Sequence, residues 1–165
     1  MKKFVGTWLP YLLVVFAALF YFVRYRVAPG IDFEHIEVVE TNGTKNTLGA
    51  MLQFPAIVHF YANWCGPCTR EMREFSLEAG RFADRGFNLY FLSDDSLEDV
   101  QQWQSIFPES AEFLKIAALT ELGIRTIPAT YVINSNGKTV MKQLAPVSWS
   151  ESKTIEEMVS LTGAN

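Results

Sequence analysis

Cysteine and histidine are scarce in this chain of 165 residues: there are two of each, and both cysteines belong to one CxxC at Cys65 and Cys68. A pair so placed leaves no thiol for a separate covalent staple, which excludes a disulfide-built scaffold and points to a reactive dithiol. No acidic residue occurs in 1–26, where the charges are Lys2, Lys3, Arg24 and Arg26. The other 139 residues therefore hold 10 basic against 18 acidic side chains, a net charge of −8. Such a body has no electrostatic footprint for a phosphate backbone, so nucleic-acid binding is not expected. Internal repeats and low-complexity stretches are lacking too. With 49% apolar residues and a mean hydropathy of +0.10, the chain is built for one packed core rather than for disorder.

The opening segment does contain a long uncharged run, Phe4 to Val23, of 20 residues. At about 1.5 Å rise per residue, a helix of that length matches the roughly 30 Å hydrocarbon core of a bilayer. Trp8 and Tyr11 lie toward one end and Tyr21 and Tyr25 toward the other, where amphipathic rings favour the headgroup layer. Pro10 falls in the first turns, where it does least harm. A cleaved signal peptide is the rival reading, but Arg24-Tyr25-Arg26 follows the run instead of a small-residue cleavage site. A buried soluble helix is a further alternative. Lys2, Lys3 and the α-amino group barely outnumber Arg24 and Arg26, a bias toward a cytoplasmic N-terminus. The expectation is a single-pass anchor in the inner (cytoplasmic) membrane, residues 1–26, with the acidic body facing the periplasm or the extracellular side. Residues 27–35, with Pro29 and Gly30, form the expected tether, and 36–165 the domain.

Along the body, Glu34 to Glu40, the turn signal Asn42-Gly43 and Lys45 to Leu48 predict an opening hairpin. Pro55 to Tyr61 is an apolar run suited to a strand covered on both sides. From Cys68 to Phe82, Met72, Phe75, Ala79 and Phe82 recur at helical spacing while Arg70, Arg73, Glu74, Glu78 and Arg81 take other faces, an amphipathic helix. Gly86 ends it, and Phe87 to Leu92 is a second buried strand that stops at Ser93-Asp94-Asp95-Ser96. Ser96 is a suitable N-cap for a helix from Leu97 to Phe107, with Asp99 in its first turn. Glu112 to Leu122 is expected as a broken strand-plus-helix stretch. Ala129 to Ile133, Asn136-Gly137 and Lys138 to Gln143 form a second hairpin, and Glu151 to Leu161 the closing helix. This order describes an α/β fold, a mixed sheet with helices on both faces, plus one N-terminal transmembrane helix.

Trp64-Cys65-Gly66-Pro67-Cys68 sits where a buried strand ends and a helix begins. A thiol at a helix N-terminus faces unpaired N–H groups and the positive end of the dipole, which favour its thiolate. Cys65 is thus expected as the exposed nucleophile, and Cys68, beyond two intervening residues, as the thiol that resolves a mixed disulfide. Pro67 suits a first turn that needs no N–H there, and Gly66 permits close approach of another backbone. A zinc half-site and a pair of inert buried thiols are the alternatives. Zinc would need two further ligands, and only His35, His59 and carboxylates remain. No metal and no cofactor are expected.

Ile57-Val58-His59-Phe60-Tyr61-Ala62-Asn63-Trp64-Cys65-Gly66-Pro67-Cys68, followed by Leu122-Gly123-Ile124-Arg125-Thr126-Ile127-Pro128-Ala129-Thr130, resembles the thioredoxin fold family. With an N-terminal anchor and an opening hairpin, the chain looks most like the membrane-tethered TlpA/ResA-like branch, over Phe33 to Asn165. The resemblance implies a cis bond before Pro128 and the Ile127 backbone beside the active pair, where with Thr126, Trp64, Gly66 and Pro67 it would bind an extended substrate peptide. Two departures stand out. His59 replaces the buried aspartate of thioredoxins; it is either a neutral acceptor for the Cys68 proton or a core histidine bonded to the backbone. Arg73 replaces a proline that often kinks this helix in the family. Trp64 either lines the peptide groove or is structural. His35 is expected as a surface strand residue, and Asp94 and Asp95 as a solvated strand end.

The function expected from this is a membrane-tethered thiol–disulfide oxidoreductase acting on cysteine-containing polypeptides. Gly66-Pro67 and Ile127 resemble the reductants of the fold, which would need a membrane thiol–disulfide electron donor, and apocytochrome c is a client implied by resemblance alone. The rivals are a disulfide oxidant or isomerase of the same fold, a copper-delivery module and a chaperone-like binding module. Related copper binders space their cysteines by three and add a downstream histidine, and no histidine follows Cys68.

Overall fold

The computed structural model describes the backbone of residues 2–163 and the side chains of 8–23 and 27–163. Helix α1, Lys2–Arg26, runs through Pro10 without interruption. Its side chains from Trp8 to Val23 are exposed and form an apolar surface. That described stretch is 16 residues, and among the described residues no helix is long and apolar enough to cross a membrane. Lys2, Lys3, Arg24 and Arg26, which carry the orientation argument, and Tyr25, one of the rings expected at the headgroup layer, lie outside the described side chains.

The body is built on one seven-stranded sheet in the order β2-β1-β5-β4-β3-β6-β7. The opening hairpin forms from β1, Glu37–Glu40, and β2, Lys45–Thr47, and β1 also pairs antiparallel with β5, Ala111–Lys115. The centre is β3, Ala56–Phe60, parallel to β4, Asn88–Ser93, which is itself parallel to β5. All five residues of β3 are buried, as a strand covered on both faces requires. The closing hairpin is β6, Ala129–Ile133, antiparallel to β3 and to β7, Thr139–Gln143. Gly43 and Gly137 take φ of 86° and 75° in the two hairpin turns, a conformation that penalises any Cβ.

Alternation along the strands sends side chains to two cores. Ile57, Phe91 and Phe113 pack on one face against α3, Gly66–Asp84, and α5, Ser152–Thr162, which contribute Met72, Phe75, Phe82, Ile155 and Met158. Val100 of α4, Leu97–Gln104, joins the same core. At its centre Trp149 and Phe75 stack with ring centroids 3.8 Å apart and planes 4° from parallel. Val58, Phe60, Tyr90 and Tyr131 fill the other face, covered by Leu48 of the short α2, Leu48–Met51, and Leu119 of a 3-10 turn, Leu119–Leu122. Helices of the body therefore lie on both faces, with α3, α4 and α5 all on one.

Several boundaries differ from the sequence reading. The helix expected from Cys68 begins at Gly66, and the one expected to reach Phe107 ends at Gln104. Residues 27–35 are not a free linker: Phe33 is buried against Tyr131, and the Pro29 carbonyl accepts from Tyr131 Oη at 3.1 Å and Lys142 Nζ at 3.3 Å. His35 is exposed but sits in a turn before β1, its Nδ1 2.8 Å from an Asp32 carboxylate oxygen. Burying the apolar side of this segment fastens it to the body, a consequence of Phe33 and Ile36 that composition alone does not advertise.

Candidate active site

Cys65 is the N-cap of α3 and Pro67 lies in its first turn, so the dithiol occupies the end of the helix where backbone N–H groups lack intrahelical partners. One of those groups is used directly: Cys68 N–H donates to Cys65 Sγ at 3.2 Å. The two sulfurs form a disulfide. Cys68 is wholly buried, whereas Cys65 keeps 6% of its surface open, so an incoming partner reaches Cys65 first.

The opposite wall comes from the loop before β6. The Ile127–Pro128 peptide bond is cis, and the Ile127 carbonyl oxygen lies 3.9 Å from Cys65 Sγ. Thr126 and Ile127 are half-buried and Pro128 is buried. Trp64 is 75% exposed beside the nucleophile and belongs to neither core, which removes its structural alternative. A Cβ placed on Gly66 would meet nothing within 4 Å, so the close approach expected there is not made by this chain's own backbone.

The loop carrying the cysteines is held from β4. Asp95 Oδ2 accepts from Asn63 N–H at 2.7 Å and from Ser93 Oγ at 2.7 Å, and Asn63 Oδ1 accepts from Trp103 Nε1 at 2.6 Å. Asp94 Oδ2 accepts from Leu119 N–H at 3.1 Å. The two aspartates are structural acceptors rather than the freely solvated strand end expected of them.

Of the two readings open for His59, its surroundings select the core residue. The ring is fully buried, edge-on to Phe75, Phe91 and Trp149, with Nδ1 3.0 Å from Thr130 Oγ1, a side chain rather than the backbone carbonyl anticipated. Burial pushes its pKa down to about 3, far too low to hold a proton taken from a thiol.

The buried carboxylate is instead Glu71, which the sequence reading missed. It lies one helical turn beyond Cys68 on the inner side of α3 and is 3% exposed. Its Oε1 accepts from Val147 N–H at 2.9 Å and Trp149 Nε1 at 2.8 Å, while Oε2 is buried with no partner. Burial pushes the group up to about 7, against the lowering effect of the two donors. The available signal was a charged residue inside the apolar stripe Cys68, Met72, Phe75, where an unpaired acid is rare. Among the described residues one cluster of side chains able to ligate a metal comes together, Asp32, Glu34 and His35, all exposed in the turn before β1.

Comparison with known proteins agrees with this geometry. The model of the AhpC/TSA family matches residues 29–141. The chain is similar to the thiol-disulfide oxidoreductase ResA of Bacillus cereus, with 23% identity over 129 residues, 74% of this chain and 73% of that protein. Among solved structures it resembles a thio-disulfide isomerase from Thermus thermophilus, with a TM-score of 0.62 and 20% identity over 84% of this chain and 99% of that one. A thiol:disulfide interchange protein of the thioredoxin family from Chlorobium tepidum gives a TM-score of 0.58 and 21% identity, covering 82% and 99%.

Proposed function

The chain belongs to the AhpC/TSA family and has the thioredoxin fold; as a thiol–disulfide oxidoreductase of that fold, we propose, it is tethered to a membrane and reduces disulfides in cysteine-containing polypeptides outside the cytoplasm. The observation that carries the chemistry is Cys65 at the N-cap of α3, accepting an N–H from Cys68 and facing the Ile127 carbonyl. In the reduced protein the same N–H and the helix dipole stabilise a Cys65 thiolate. That thiolate attacks one sulfur of a client disulfide; a mixed disulfide forms and the client's other sulfur leaves as a thiolate. Cys68 then gives up its proton and attacks Cys65 Sγ, releasing the second client thiolate. The client gains two electrons and the pair ends as the disulfide seen here.

Cys68 is buried, so its proton needs an acceptor inside the protein. Glu71, one turn along the helix, is matched to that task near pH 7, where a carboxylate raised to about 7 is part ionised. No cofactor enters the cycle. A membrane thiol–disulfide donor re-reduces the pair, and the uncharged run from Phe4 to Val23, with its exposed apolar side chains from Trp8 onward, supports the tether that would bring the two together. Cytochrome c maturation is the setting the resemblance suggests, with apocytochrome c as the client. A copper-delivery role finds little support, since His59 is sealed in the core and His35 is bonded to Asp32.

Trapping tests this reading. A Cys68→Ser variant in intact cells should stall with clients bound to Cys65 through a mixed disulfide that dithiothreitol releases. A chain that reduces no insulin disulfide and traps no protein would refute it.

A further inference from the structure

Beside the dithiol, between α3 and α4, lies a groove of about 440 Å³ lined by Asn63, Arg73, Gln102, Trp103 and Ile106. Asn63 is two residues from Cys65, so the groove opens within about 7 Å of chain from the nucleophile. Its walls are preformed. Trp103 donates to Asn63 Oδ1 at 2.6 Å and packs edge-on against Tyr61, while Asp95 fixes the Asn63 backbone. Trp103 and Ile106, the latter 54% exposed, give the groove its apolar surface, and the carboxamides of Asn63 and Gln102 line it beside them.

Arg73 is the one charged residue lining the groove. It is exposed and has no ion pair among the described residues. Arg70, one turn back on the same helix and also exposed, adds a second positive charge close to the redox end. The body as a whole carries −8 and acids stand close by, but Glu74 accepts from Ser150 and Asp99 from Ser96, so Arg73 is the charge that the groove lining itself presents. Asp95, the nearest acid to Asn63, is occupied by the Asn63 N–H and the Ser93 hydroxyl.

We propose that this groove binds the segment of a client next to its reactive cysteine and selects an acidic side chain there, through Arg73. The inference rests on the oxidoreductase reading and names the class of substrate. Arg73 is eight residues from Cys65, about 12 Å along the helix axis. An extended client covers that distance in roughly three to four residues, which places the favoured Asp or Glu at that separation from the client cysteine.

The experiment uses the full chain with dithiothreitol as donor and two synthetic peptides containing one intrachain disulfide. The peptides differ only in carrying Glu or Lys four residues outside each cysteine. The Glu peptide should be reduced with a kcat/KM higher by roughly three- to five-fold, the scale of one exposed ion pair. Arg73→Ala should bring the ratio to one, and Arg73→Glu should invert it. Gln102→Glu, placing a negative charge on the opposite wall, should also lower it. Lys138→Glu makes the same charge change as Arg73→Glu in the hairpin turn at the far end of β6 and should keep the parent ratio. Reduction of both peptides at equal rates, or a preference indifferent to Arg73, overturns the groove assignment alone. Failure of the folded chain to reduce either peptide overturns the oxidoreductase reading, and the groove with it.

Discussion

Glu71→Gln should stabilise the folded protein at neutral pH relative to its effect in acid, and the size of the shift follows from the site. The carboxyl is 3% exposed and lifted by burial from 4.5 to about 7. As pH rises, the unfolded chain ionises first, so the stability associated with the neutral buried acid is present below about 4.5 and lost as pH climbs through about 7. At roughly 1.4 kcal/mol per pKa unit, the loss is about 3 kcal/mol in the parent and nil in the variant. Glutamine keeps an oxygen for Val147 N–H and Trp149 Nε1, while its NH₂ replaces the unpartnered Oε2. That buried amide adds a cost of about 1–3 kcal/mol at every pH, so only the pH-dependent part of the comparison is diagnostic. The assay is urea unfolding of the oxidised chain, parent and variant, from pH 4 to pH 8. Other titrating groups are common to both proteins and cancel. A stability difference constant within about 0.5 kcal/mol across that range would refute the argument that Glu71 is held in a desolvated site.

His59 acts with the opposite sign: its pKa is depressed from 6.5 to about 3, so its contribution is present above about 6.5 and lost as pH falls toward 3. His59→Gln should therefore flatten the acid limb of the stability profile and leave resolution of the mixed disulfide within a few-fold of the parent; a loss of roughly 10²–10⁴ in that step would restore the histidine as the base. Alkylation of the reduced protein at neutral pH should modify Cys65 before Cys68, and preferential labelling of Cys68 would reverse their roles. In intact cells, a membrane-impermeant thiol reagent applied after reduction should label Cys65, whereas labelling only after lysis would contradict an extracytoplasmic body.

Much of this architecture is legible in the sequence because period and turn chemistry act locally. The apolar run around Ile57, the stripe through Phe75 and Phe82, and the Asn-Gly turns each carry their own physical cause. The short α2, the docking of Phe33 and the early end of α4 do not announce themselves, since they depend on what the second core leaves uncovered. Cys65 at a helix N-terminus was readable from strand, CxxC and helix. Glu71 was passed over as one more solvated charge of an amphipathic helix, although its place three after Cys68 and four before Phe75 puts it on the buried face. His59 is a different case: a histidine in an apolar strand has two meanings, and only the rings of Phe75, Phe91 and Trp149 around it decide between them.

The site's assembly depends on where three strands meet, which is a matter of pairing rather than of local sequence. β3 delivers Asn63, Trp64 and Cys65 beyond its C-terminal end. Parallel β4 on one side ends at the same level and supplies Asp95, which grips the Asn63 backbone. Antiparallel β6 on the other side begins there and supplies Ile127 and Pro128. A one-residue slip of β6 against β3 would turn every β6 side chain to the other face and carry the Ile127 carbonyl away from Cys65. The pairing Phe60↔Ala129 is therefore as much a part of the active site as the cysteines. It is fixed by burial on both faces of the sheet, where Ala129, Thr130, Tyr131 and Val132 are all fully covered. The chemistry at Cys65 is thus set by core packing some distance along the strand, and polar substitutions in β6 should impair turnover through geometry while both thiols remain in place.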